Sequence, residues 1–142
     1  MELQQLKDRY AKYLEEVARV YAGAKPMDGL FGWGDDPRKD PCHMRFYEDI
    51  EAGIQAFAAA SRSPEELFEA VRFMITLPAE HKEEPGFWFL YAAHGLTRGL
   101  IPRLTAAQCA GLRDFYDDNY PKRDRMPVQQ EVYKLLKKGA KK

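Results

Sequence analysis

The chain has 142 residues, with 22 Lys and Arg balanced by 22 Asp and Glu, two cysteines and 45% hydrophobic residues. This length suits a single domain over residues 1–142 that buries a core without staples, and two cysteines are too few for a secreted disulfide framework. The longest uncharged stretch, Pro85 to Thr97, falls short of the roughly 20 residues that a membrane-spanning helix needs.

Val, Ile and Thr together fill only twelve positions, beside abundant Ala, Leu, Glu, Lys and Arg. That composition favours helices over strands and predicts an all-α fold, a single compact bundle of about six helices. The first is expected over residues 2–22. There Leu3, Leu6, Tyr10, Tyr13, Val17 and Val20 alternate spacings of three and four, and Gly23 supplies a left-handed stop. Tyrosines at two of these six positions favour packing inside a bundle over a coiled-coil dimer.

A long Gly/Asp/Pro-containing loop over 24–40 is expected to lie across one end of the bundle. Asp40 stands at the N-cap position and Pro41 at the first helical residue of the second helix. That helix places Phe46, Ile50, Ile54 and Phe57 on one face. Ser63-Pro64-Glu65-Glu66 is a capping box that opens a third helix with Leu67, Val71, Met74 and Ile75 inward. Its end is expected before Pro78, because the residue preceding proline avoids helical geometry.

A fourth helix follows Pro85-Gly86 and is apolar on every side through Leu96, as a central helix would be; its four aromatics in five residues also fit a strand. Ala92, Gly95 and Gly99 line a narrow face that admits a close neighbour. Thr105-Ala106-Ala107-Gln108 caps a fifth helix with Cys109, Leu112 and Tyr116 inward. After a charged connector, a sixth starts at Pro127, buries Val128, Val132, Leu135 and Leu136, and stops at Gly139. Residues 139–142 are expected to form a disordered basic tail.

The segment from Gly29 to His43 departs from the helix-connector pattern and is where function is sought. Cys42, at a helix entrance, meets exposed N–H groups and the helix dipole, which lower a thiol pKa. His43 points about 100° away from it, so a catalytic pairing needs His94 or His81. Cys42, His43 and His94 are therefore the catalytic candidates. The competing structural reading sets His43 at the core edge and His94 as a buried imidazole bonded to one carbonyl. Trp33, Asp35, Asp36, Asp40, Cys42 and His43 are the candidate binding residues.

Asp36, Asp40 and His43 form the nearest approach to a metal-ligand set. No Glu-x-x-His pair or calcium-loop spacing accompanies them, and aspartates beside proline commonly make turns. No metal or other cofactor is expected. Gly29-x-x-Gly32-x-Gly34 lacks the Lys-Ser/Thr of a phosphate loop, and no Gly-x-Ser-x-Gly, His-Glu-x-x-His or Cys-x-x-Cys motif occurs.

Charge is uneven: Lys122 to Lys142 carries eight basic residues against Asp124 and Glu131. Lys122, Arg123 and Arg125 in the connector could hold a phosphate, although mixed charge usually marks a solvated turn. No nucleic-acid motif accompanies the basic end, so nucleic acid is not an expected partner, and no membrane association is expected. No basic-then-apolar leader opens the sequence, which makes the cytoplasm the expected compartment. Two functions follow. The first is a non-enzymatic module that binds a protein partner, a ligand or a second copy of itself through residues 29–43 and the start of the second helix. The alternative is a small enzyme or ligand-binding protein with a Cys/His pocket at that helix entrance.

Overall fold

The computed structural model describes residues 1–20, 41–84 and 86–141. Among these the architecture is all-α: α1 (Leu3–Val20), α2 (Pro41–Ala59), α3 (Pro64–Glu80), α4 (Phe87–Ala92), α5 (Ala106–Asn119) and α6 (Pro127–Ala140), with short 3-10 turns at 93–97, 101–103 and 122–124. No described helix is long and apolar enough to cross a membrane. The loop expected between the first two helices, with Trp33, Asp35, Asp36 and Asp40, lies outside the described residues, as does the Gly23 stop.

The stripe of α1 turns inward: Leu6, Tyr10, Tyr13 and Val17 are buried, as are Phe46, Ile50, Ile54 and Phe57 of α2. Burying each such side chain contributes about 1.5–3 kcal/mol. Tyr13 stacks on Phe46 at 3.7 Å between centroids, and Tyr10 meets Phe46 and Phe73 edge-on at 5.3 and 5.2 Å. These rings tie α1 to α2 and α3 within one chain. Gly53 lets α1 and α2 approach, since a Cβ there would sit 3.2 Å from Leu6 Cδ1. Arg9 fastens the same crossing by donating to the Asp49 carbonyl at 2.6 Å.

Both capping boxes form. The Ser63 and Thr105 hydroxyls accept from the Glu66 and Gln108 amides, and those side chains reach back to the cap amides. Beside the first cap, Arg62 has a side chain only 5% exposed. It donates to the Phe57 and Met1 carbonyls and lies 4.1 Å over the Phe57 ring, pinning the start of α1 to the α2–α3 turn.

Four expectations are corrected. The third helix does not stop before Pro78; α3 runs to Glu80, with His81 as its C-cap. Pro78 lies in the last turn with its ring buried, where burial outweighs one absent amide bond and the local preference of Leu77. The aromatic run forms a helix, not a strand, yet α4 lasts only six residues before tightening into a 3-10 segment from Ala93 to Thr97. In α6 the buried set is Gln129, Val132, Leu136 and Gly139, while Val128 and Leu135 are only partly buried. The helix passes through Gly139 to Ala140, which brings both residues out of the expected tail. Gly139 is inside because a Cβ there would lie 2.5 Å from Cys109 Sγ, so α5 and α6 meet where it has no side chain.

Candidate functional site

At the entrance to α2, Pro41 is the first helical residue, as its fixed φ suggests. Cys42 is thus the second residue of the helix, beside amides that have no intrahelical acceptor. The side chains of Cys42 and His43 lie outside the described set. One turn of helix begins there, and its first described side chain, Met44, is 47% exposed.

His94 sits elsewhere, in the 3-10 segment that follows α4, and is 1% exposed. Its Nδ1 lies 2.7 Å from the Tyr116 hydroxyl of α5. Tyr91 and Tyr120 meet its ring edge-on at 5.2 and 5.6 Å. Burial lowers its pKa to about 3, while the Met74 and Ile75 carbonyls pull weakly the other way. The imidazole is therefore neutral at physiological pH. A neutral imidazole carries a single N–H, so the direction of the Nδ1–Tyr116 hydrogen bond follows the tautomer. Nε2 itself reaches no hydrogen-bond partner among the described residues. The sequence marks this histidine as a buried imidazole on a carbonyl; the bonded partner is a hydroxyl.

The carbonyls facing it belong to the broken turn of α3. Pro78 has no N–H, so the Met74 carbonyl receives no i−4 bond from that position. The adjacent Ile75 carbonyl accepts from the Tyr120 hydroxyl at 2.6 Å. Gln129 of α6 closes the cluster from the other side, donating through Nε2 to the Tyr91 carbonyl at 2.5 Å. Burial raises the Tyr116 and Tyr120 phenols well above their ordinary range. These groups hold α3, α4, α5 and α6 together as neutral hydrogen-bonding partners. The other described histidine, His81, is hydrogen-bonded to Glu84 one turn on.

A second concentration of polar groups lies at the surface between the α5–α6 connector and α6. It is a cleft of about 510 Å³ lined in part by Lys122, Arg125, Tyr133, Lys134 and Lys137. Arg125, with a side chain 6% exposed, anchors it. The guanidinium donates to the Tyr120 carbonyl at 2.9 Å and to the Tyr116 carbonyl at 3.2 Å, and lies 4.4 Å over the Tyr133 ring. Asp117 takes both the Arg125 guanidinium, at 3.4 Å, and the Tyr133 hydroxyl, at 3.1 Å. Sequence reasoning groups Lys122 and Arg125 but misses Gln130, Tyr133, Lys134 and Lys137. Their i, i+3, i+4, i+7 spacing on one helix face is the available signal.

Among the described residues no group of three or more His, Cys, Asp or Glu could hold a metal ion. Asp36 and Asp40 lie outside that set. Comparison with protein-family models, curated proteins and solved structures finds no match to this chain.

Proposed function

We propose that this chain is a non-enzymatic cytoplasmic binding module that takes a protein partner, or a second copy of itself, through residues 29–43 and the first turns of α2. The observation that carries this reading is Met44, a large hydrophobic side chain left 47% exposed in the first turn of α2. Before it the sequence sets Leu30, Phe31 and Trp33 in a Gly-spaced run. A flexible thioether and aromatic side chains are both enriched at protein interfaces. The interior also favours binding over catalysis, because His94, Tyr116, Tyr120 and Gln129 are engaged in packing and hydrogen bonding. Nucleic acid is not the partner this surface suits, and no cofactor is invoked.

The test is the exposure of Trp33 in the monomer. Fluorine NMR of protein labelled with 5-fluorotryptophan, assigned with Trp33→Phe, should give a Trp33 signal that a soluble paramagnetic agent broadens readily. A Trp33 protected in dilute monomer would sink the proposal.

The start of α2 at Pro41 supports a second reading, a Cys/His pocket with Cys42 as a thiolate. Position two of a helix is where dipole and amides stabilise a thiolate. Alkylation rates of Cys42 measured against pH should then give a midpoint well below the ordinary ~8.5, and a midpoint near that value would remove this reading.

A further inference from the structure

We propose that the cleft between the 122–125 connector and α6 is a binding site for a small soluble ligand bearing two linked phosphates. It stands on different residues from the proposed protein-binding surface and goes beyond that reading.

Four features carry it. Arg125 is held in place rather than free to swing, by two backbone carbonyls, by Asp117 and by the face of Tyr133. A guanidinium fixed in this way presents its remaining N–H groups in one geometry, which suits a planar or tetrahedral oxyanion. Secondly, Lys122, Lys134 and Lys137 line the same cleft, all three are exposed, and none forms an ion pair with a described residue. Thirdly, the one carboxylate in the lining, Asp117, is already occupied twice, by Arg125 and by the Tyr133 hydroxyl. Four cations against one carboxylate leave a net charge of +3 among the lining residues. A diphosphate carries about that much opposite charge at neutral pH. Fourthly, a volume of about 510 Å³ lies in the range of small-molecule pockets, roughly 300–1,000 Å³, and Gln130 ties the connector to α6 there by donating to the Arg125 carbonyl at 3.3 Å.

The geometry assigns each cation a role. Arg125, the least exposed, orients one phosphate at the inner wall. The three lysines, on flexible stems, neutralise the second as point charges. Lys134 and Lys137 are one turn apart on α6, so both can reach a ligand that extends along the helix.

The experiment is titration of the full chain with inorganic pyrophosphate, followed by calorimetry and by amide NMR shifts. The result expected is saturable binding, with the largest shifts at residues 122–125 and 130–137. Lys134→Glu and Lys137→Glu should each weaken it at least tenfold, while Lys12→Glu, the same charge change on exposed α1, should alter it less than twofold. All three variants replace exposed lysines, and unchanged thermal unfolding will show that they fold. Absence of saturation, or equal weakening by Lys12→Glu, would overturn the proposal, since either reduces the effect to overall charge. A parallel arm uses phosphatidylcholine vesicles containing phosphatidic acid. Vesicle binding lost in the two α6 variants, without binding of free pyrophosphate, would also overturn it and assign the cleft to a lipid headgroup.

Discussion

His94 Nδ1 lies 2.7 Å from the Tyr116 hydroxyl, a bond between residues 22 apart that is sealed from solvent. It joins the segment after α4 to the last turn of α5. Removing the hydroxyl leaves a buried ring nitrogen without its hydrogen-bond partner, which costs about 1–3 kcal/mol. Tyr116→Phe, otherwise the same shape, should therefore lower the unfolding free energy by that much, seen as a lower urea midpoint with an unchanged m-value.

The same histidine gives acid stability a particular form. Its folded pKa is lowered to about 3, against about 6.5 for an unfolded chain. Between these values the unfolded state binds a proton that the native state refuses, so stability falls as pH drops, by about 1.4 kcal/mol per pH unit from this group. The loss levels off below the folded value. Glu66 also loses stability in acid, because the Ser63 backbone and Arg62 hold its pKa below the usual range; its contribution declines only as pH falls below the ordinary carboxylate value. Among the described residues, His94 is the group whose lowered pKa starts a decline near pH 6. Unfolding free energies from pH 7 to 5 should slope downward in the native chain and flatten in His94→Gln.

Two glycines in adjacent helices predict opposite signs for one substitution. Gly111 in α5 is exposed, and a Cβ added there would meet nothing within 4 Å, so Gly111→Ala should stabilise by roughly 0.5–1 kcal/mol through backbone entropy. Gly139 in α6 would set its Cβ 2.5 Å from Cys109 Sγ and 3.1 Å from Cys109 Cβ. Gly139→Ala gains the same propensity but must part α5 from α6, for a net loss of about 1–3 kcal/mol. Thermal unfolding of the two variants should move in opposite directions.

These glycines also mark where sequence reasoning stops. The stripes of α1 and α2 and both capping boxes are legible because each depends on neighbours within one helical period. Gly139 reads as a stop, since its burial depends on Cys109, thirty residues away. Gln129 is missing from the expected buried set because an amide goes inside only when it finds a carbonyl, and that carbonyl is Tyr91 on another helix. Gly95 does admit a close neighbour, a Cβ there meeting Val128 Cγ2 at 2.7 Å, but Gly99 faces open space. Of the candidate site residues, His94 lies in the core, as its apolar neighbours in sequence suggest. Trp33, Asp35, Asp36 and Asp40 lie outside the described residues. The basic cleft needs the connector to fold back onto α6 before its charges can be seen together.

Burial of the phenols predicts an alkaline signature. Tyr10, Tyr91, Tyr116 and Tyr120 all have pKa values pushed up by desolvation. Because their folded values exceed the unfolded one, stability falls as pH rises above about 10, where the unfolded chain releases protons that the native state keeps. Tyrosinate absorbance should rise in two stages, the second coincident with loss of helical circular dichroism. A single smooth titration, complete while helicity persists, would show these phenols to be accessible.

Arg125→Lys separates the guanidinium's architectural role from its charge. Its Nε bonds the Tyr120 carbonyl, Nη2 bonds the Tyr116 carbonyl, and the plane lies over Tyr133. A lysine keeps the positive charge near Asp117 but cannot reach two carbonyls from a fork or stack its plane on a ring. The end of α5 would then leave at least one carbonyl unpaired at the point where the chain turns toward α6, at a cost of about 1–3 kcal/mol. Urea unfolding should show that loss, and amide exchange should speed up first at 116–125, ahead of α1 and α2. Stability equal to the native chain would mean that Arg125 contributes by charge alone.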